Sequence, residues 1–221
     1  KDVIFNKHSI DSFENVKDVK INEENELYKM KDNVIYSKDG KKLIYSLRNN
    51  ENNYYLIPND VEIIESNAFS LSKLNSILFN KELKEIQSDS FHNNGKMKSL
   101  FVSENVEMIE KYSFCFNDNL EQIIIVSNEI EIREKAFFGC DKLKNVIFVG
   151  QNITIDTSTF DGCLKMKGIK VIDTFEDEID VENIELIENK IIIGKCGKEC
   201  QWIYDKENKI KGTGNGFYID A

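Results

Sequence analysis

Basic residues are the minority charge in this chain: 29 Lys and Arg stand against 39 Asp and Glu, for a formal charge of -10 and a pI near 4.9. That balance argues against nucleic acid as a partner, because affinity for it comes chiefly from Lys and Arg neutralising phosphates. An anionic membrane surface is disfavoured for the same reason. No apolar run approaches the roughly 20 residues that a helix needs to cross a bilayer, and no secretory-leader pattern opens the sequence. Lys1 in place of a starting Met reads as an excised segment. Proline occurs once, at Pro58, where a strand can end without an N–H donor. The five cysteines are an odd number, so at least one stays unpaired within the chain.

Against these absences stands one pattern written five times between Tyr55 and Ile172. Each copy reads, roughly, apolar-x-x-Ile, three residues, a small residue, Phe, a short loop, Leu or Met, two residues, and then apolar-x-apolar. Phe69, Phe91, Phe114, Phe137 and Phe160 mark the copies, in steps of 22, 23, 23 and 23 residues. Leu74, Met97, Leu120, Leu143 and Met166 keep the 23-residue step, as do Ile77, Leu100, Ile123, Val146 and Ile169. So does the column Phe79, Val102, Ile125, Phe148 and Val171. A fixed period of about 20 to 29 residues predicts a leucine-rich-repeat solenoid, in which stacked coils bury apolar edges that no single coil can bury. The predicted fold is right-handed and mostly β, with parallel stacked strands, short turns and inserted hairpins. The 41% of hydrophobic residues then forms a core spread along an axis.

Phe13, Val16, Val19 and Ile21 carry the spacing of an earlier partial coil over 1–22. Residues 23–54 interrupt the array with two predicted strands, Val34 to Tyr36 and Leu43 to Tyr45, around Asp39-Gly40. Five regular repeats fill 55–172. A degenerate coil is expected over 173–195, from Ile184, Ile187 and Ile191 to Ile193. Residues 196–221 read as a further hairpin containing Trp202 and Gly212-Thr213-Gly214.

Within a coil the strand alternates, so one column must face outward. It reads Lys20, Leu78, Phe101, Ile124, Ile147 and Lys170. Lysines at both ends exclude it from the core, so its apolar middle is expected on the surface. With Val126, Val149 and Ile172 beside it, the stripe would cover about 300 Å² and is the predicted binding surface. The bland alternatives are that β-branched and aromatic residues favour strands whatever they face, or that a neighbouring segment covers the stripe.

Other constellations carry less. His92 and Cys115 each follow a repeat Phe and should stack in adjacent coils, yet their column continues as Phe138 and Asp161, so exposed turn residues are expected there rather than a nucleophile and base. Eight carboxylates between Asp173 and Glu188 lack the spacing of a calcium loop. Asn94, Asn117, Cys140 and Cys163 share a loop column, expected to hydrogen-bond turn backbone that would otherwise be buried unpaired. Cys196 and Cys200 lack a second ligand pair for zinc. The Gly-rich run from Lys211 to Gly216 reads as a turn, and Asn152-Ile153-Thr154 is a glycosylation sequon. No catalytic residue, metal or cofactor is expected.

The copies resemble the BspA-like leucine-rich repeats, also called the Treponema pallidum type. Ile57-Pro58-Asn59-Asp60-Val61 with Ala68-Phe69, and Ala136-Phe137-Phe138-Gly139-Cys140, carry the likeness best. The hairpin from Asn33 to Tyr45 and the segment Gly194 to Gly214 resemble further parts of such proteins. The sequence departs from the family pattern at Glu65, Gln87, Glu110, Arg133 and Asp156, where Gly is common. The resemblance implies a cell-surface or secreted adhesion-type protein of bacteria or protist parasites, usually non-catalytic. It carries no ligand over, because such binding depends on variable surface positions, and the partner expected is a host or extracellular-matrix protein. The competing expectation is a structural spacer or intracellular scaffold segment of a larger repeat protein.

Overall fold

A repeat whose apolar residues fall on several separate columns needs more than one straight segment per coil. In the computed structural model each coil has two strands and a Phe-bearing turn. The structure describes residues 19–47, 54–150 and 152–172, and beyond them the backbone of four strands within 184–213. In chain order the strands are β1 (Tyr28–Lys31), β2 (Val34–Ser37), β3 (Lys42–Ser46), β4 (Tyr54–Leu56), β5 (Ile63–Ile64), β6 (Ser76–Leu78), β7 (Glu85–Ile86), β8 (Ser99–Val102) and β9 (Met108–Ile109). They continue as β10 (Gln122–Val126), β11 (Ile130–Ile132), β12 (Asn145–Val149), β13 (Ile153–Asp156), β14 (Ile169–Ile172), β15 (Ile184–Ile187), β16 (Lys190–Ile193), β17 (Cys200–Tyr204) and β18 (Ile210–Thr213).

Two parallel ladders result. The even strands from β4 to β14 come from the apolar-x-apolar segments and carry the expected columns, with Ile123 beside Val146 and Ile125 beside Phe148 in register. The odd strands from β5 to β13 form a second ladder that the sequence reading does not contain. It grows from the apolar-x-x-Ile segment. In the first three coils the three-residue spacing, as in Val61 to Ile64, permits only two-residue strands. In the last two, Ile130-x-Ile132 and Ile153-x-Ile155 alternate with period two, and the strands lengthen.

The long ladder is also not continuous: β4 and β6 form a sheet of their own, separate from β8, β10, β12 and β14. The break falls where the loop from Phe to the following Leu or Met changes length. Phe69 to Leu74 is one residue shorter than Phe91 to Met97, which offsets one strand against the next.

Between the ladders lies the core. Phe69, Phe91, Phe114, Phe137 and Phe160 stack at centroid spacings of 5.2, 4.9, 5.2 and 5.5 Å, within 10° of parallel. Two residues before Phe, the first four coils turn through the left-handed region at Asn67, Asp89, Tyr112 and Lys135. Two residues after it every coil does so again, at Leu71, Asn93, Phe116, Gly139 and Gly162. Ala68, Ser90, Ser113, Ala136 and Thr159 are fully buried beside the ring, which explains why only small residues stand there.

The inserted segment is a three-stranded meander. β2 and β3 pair antiparallel around the Asp39-Gly40 turn. β1 precedes them across Asp32 and Asn33, two consecutive residues at positive φ, the geometry of a type I′ hairpin. The meander is built into the short ladder, because β3 pairs parallel with β5. Val34, Tyr36 and Leu43 join the main core, and the Tyr36 hydroxyl hydrogen-bonds that of Tyr55 on β4.

Past β14 both ladders reverse. β16 lies antiparallel to β13 and β15 antiparallel to β16, so this segment departs from the expected degenerate coil, which would have continued parallel. Only Glu188 and Asn189 separate β15 from β16, far fewer than the dozen or more residues of a parallel crossover. On the other ladder β17 lies antiparallel to β14, and β18 to β17. The residues of the earlier partial coil before Val19 lie outside the described part.

Candidate functional site

Strand alternation decides which side chains the long ladder shows to solvent. Ile77, Leu100, Ile123, Val146 and Ile169 point into the core, each at most 4% exposed. The residue after each points the other way. Leu78 is 59% and Phe101 51% exposed, while Ile124 and Ile147 are half-buried between flanking strands, as is Lys170. Parallel register stacks Phe101 on Ile124, Ile124 on Ile147, and Ile147 on Lys170. Val126 and Val149 stack beside them, both half-buried, with Ile172 next in the same column. Lys20 is exposed.

The stripe extends further than the sequence reading placed it. Leu56, paired with Leu78 across β4 and β6, is 66% exposed, and Tyr54 on the same strand is 76% exposed. Leu56 stands 22 residues before Leu78, so the repeat step itself could have found it. The inserted meander hides it, because it separates β4 from the partial coil over 1–22.

The family-departing column works differently. Glu65 pairs with Lys42 at 2.9 Å and Glu110 with Arg133 at 2.8 Å, each across a step of 23 residues. Gln87 Oε1 accepts from Ser66 N at 3.3 Å, and Asp156 Oδ1 accepts from Ser158 N at 2.8 Å. Backbone carbonyls of this column accept from the N–H three residues on, as in Ala68 to Glu65 at 3.2 Å, with the third turn residue at positive φ in the first four coils. That is the type II arrangement, with the glycine-favouring third position taken by Asn67, Asp89, Tyr112 and Lys135.

Inside the turn, the Asn/Cys column performs the task its residues suggest. Asn94 Nδ2 donates to Phe69 O at 2.8 Å and Asn117 Nδ2 to Phe91 O at 3.0 Å. Cys140 Sγ donates to Phe114 O at 3.3 Å and Cys163 Sγ to Phe137 O at 3.2 Å, each reaching back one coil. Both thiols are free.

His92 and Cys115 do meet across adjacent coils, with Sγ 3.1 Å from Nδ1. The expectation of exposed turn residues is corrected at Cys115, which is 1% exposed. Part of that burial comes from the preceding coil, whose His92 imidazole lies against the thiol. Burial, with the Asp89 carboxylate adding to it, pushes the Cys115 thiol up to about 12, so at neutral pH it is no thiolate nucleophile. Asp89, which the sequence reading did not connect with this pair, brings Oδ1 to 3.6 Å from His92 Nδ1. Of the eight carboxylates between Asp173 and Glu188 all but Glu185 lie outside the described residues, as do Cys196 and the end of the Gly-rich run. Among the described residues no helix is long and apolar enough to cross a membrane.

A sequence profile for the BspA type leucine rich repeat region matches residues 44–167 in six copies. No curated protein sequence matches the chain. Among solved structures, a leucine-rich repeat protein of Eubacterium ventriosum superposes with a TM-score of 0.66 at 17% identity, over 73% of this chain and 44% of that one. A leucine rich cell surface protein of Faecalibacterium prausnitzii gives 0.60 at 24% identity, over 69% and 41%. The pneumococcal vaccine antigen PcpA gives 0.53 at 22%, over 70% and 44%. The matched part of this chain thus spans less than half the length of each of these proteins, and likeness at such identity speaks for the fold. The profile match runs through the coils described above, and the chain belongs to the BspA-type leucine-rich-repeat family.

Proposed function

We propose that the chain is a non-catalytic protein-binding module of a cell-surface or secreted repeat protein, engaging a host or extracellular-matrix protein through the outer face of its long strands. The observation that carries this reading is the column Leu56, Leu78, Phe101, Ile124 and Ile147. It holds large apolar side chains on adjacent coils, the first three more than half exposed. Exposed apolar residues scattered singly are ordinary, but a row of them on neighbouring strands is the anatomy of a contact surface. Val126 and Val149 widen it, with Ile172 next in backbone register, and Ser99, Gln122 and Asn145 supply a polar margin. The named surface protein and vaccine antigen among the fold neighbours support a place outside the cell.

The test is capture by the chain of a panel of immobilised extracellular-matrix and host-surface proteins, repeated with Phe101→Asp and Ile124→Asp. Loss of capture with unchanged circular dichroism is the expected result. Capture that survives both changes removes the strand face from consideration, and capture of nothing favours the spacer.

A further inference from the structure

The turn that carries the repeat Phe is occupied differently in each coil, and in the second and third coils it gathers three side chains of different chemistry. Asp89 and His92 come from one coil and Cys115 from the next, and a carboxylate oxygen, an imidazole nitrogen and the thiol sulfur all lie within 4.8 Å of one another. The individual contacts are 3.1 Å from Sγ to Nδ1 and 3.6 Å from Nδ1 to Oδ1. A tetrahedral zinc ion holds sulfur at about 2.3 Å and nitrogen or oxygen at about 2.0 Å, which sets its ligands roughly 3.5 Å apart. Two edges of the triad are therefore close to those of a coordination polyhedron before any ion enters, and the third is at most 4.8 Å.

Three further features fit an ion here. The backbone fixes the carboxylate: Asp89 is in the left-handed region at φ 58°, and His92 N donates to Asp89 O at 3.1 Å, so both residues belong to one closed turn. The imidazole also packs against Phe116, edge-on with ring centroids 5.6 Å apart. Asp89 and His92 retain 26% and 32% of their side-chain exposure, leaving a way in from solvent, while the thiol lies beneath them. A mixed thiol, imidazole and carboxylate set is a donor combination for zinc and unsuited to calcium or magnesium, which take oxygen.

We propose that Asp89, His92 and Cys115 form a zinc site that clamps the second coil to the third, with three protein ligands and the remaining position open to water. Binding converts the Cys115 thiol to a zinc-bound thiolate and releases its proton to solvent, with no change of oxidation state. The proposal is independent of the strand-face reading, because the site lies on the turn side of the coil.

Titration of the reduced full chain with zinc, against a chromophoric chelator, tests it. One zinc ion per chain is expected, with a rise in unfolding temperature. Cobalt in its place should give a thiolate-to-cobalt charge-transfer band. Cys115→Ser should abolish that band, and His92→Ala and Asp89→Asn should each weaken zinc by at least about tenfold. Asn accepts the left-handed conformation at position 89, so this last variant keeps the turn even where loss of the buried thiol unsettles the fold. Cys140→Ser and the paired change Cys196→Ser with Cys200→Ser should leave binding intact. Absence of zinc uptake overturns the proposal, as does cobalt without the charge-transfer band. So does affinity that survives Asp89→Asn and His92→Ala, or affinity that vanishes with Cys140 or the Cys196 and Cys200 pair.

Discussion

Phe91 and Phe114 stack with their ring centroids 4.9 Å apart and only 5° from parallel, neither ring measurably exposed. Phe114 also stacks on Phe137 at 5.2 Å, whereas Phe160 has one such neighbour among the described residues. In a solenoid, stability is a sum over coils and the interfaces between neighbours, so truncation in the middle damages two interfaces and at the end of the ladder one. Phe114→Ala should cost about 3–5 kcal/mol, and Phe160→Ala clearly less. Urea unfolding of the two variants side by side checks the order.

Ser90 and Ser113 sit in the small-residue column before Phe with hydroxyls that are buried and without a hydrogen-bond partner. Ala68 and Ala136 occupy the same column in neighbouring coils, so the site accepts a methyl group. Removing an unsatisfied hydroxyl recovers part of its desolvation cost. Ser90→Ala and Ser113→Ala should each therefore stabilise the chain by about 0.5–1 kcal/mol. The signature is a higher denaturant midpoint at unchanged slope.

The columns of the solenoid were legible because stacking turns sequence period into spatial register: residues 23 apart sit over one another, so inside and outside can be read from composition. That is how Leu78 and Phe101 were placed on the surface and Ile123 in the core. Where the period lapses, register lapses too. The second ladder went unread because two-residue strands such as Ile63–Ile64 leave no alternation to detect. The reversal at β16 went unread because an isoleucine-rich run looks alike in a parallel coil and in a hairpin. Asp89 joined His92 through a left-handed turn residue that is not a glycine, and nothing in the letter marks that conformation.

Gly150 and Gly95 should respond oppositely to the same substitution. At Gly150, with φ 131°, a Cβ would lie 1.9 Å from Ser127 O, a backbone atom that cannot swing aside. The Ser127–Gly150 approach comes from the tight loops that join the long strands β10 and β12 to the lengthened short strands β11 and β13. Gly150→Ala should therefore cost more than about 3 kcal/mol. At Gly95 a Cβ meets nothing within 4 Å and φ is ordinary, so Gly95→Ala should gain about 0.4–1 kcal/mol through the unfolded chain. Thermal unfolding of the pair separates local geometry from any general intolerance of glycine replacement.

The Tyr36–Tyr55 hydroxyl pair joins the inserted meander to the first long strand, and both rings are buried. Burial raises the pKa of each: Tyr36 goes far above the ordinary value of 10.0, with Tyr55 adding to it, and Tyr55 moves the same way. A phenol whose folded pKa exceeds its unfolded one contributes stability that is fully present below the unfolded value and is lost as pH rises beyond it. Stability should accordingly hold up to pH about 10 and fall steeply above it as the unfolded chain ionises these tyrosines and the folded chain does not. Tyr36→Phe leaves the Tyr55 hydroxyl without this partner and should cost about 1–2 kcal/mol at neutral pH. The double change to Phe removes both polar groups, should recover much of that loss, and should flatten the alkaline slope. Urea midpoints measured from neutral to strongly alkaline pH for the three chains distinguish this linkage from general charge repulsion, which would leave the slope unchanged in the double variant.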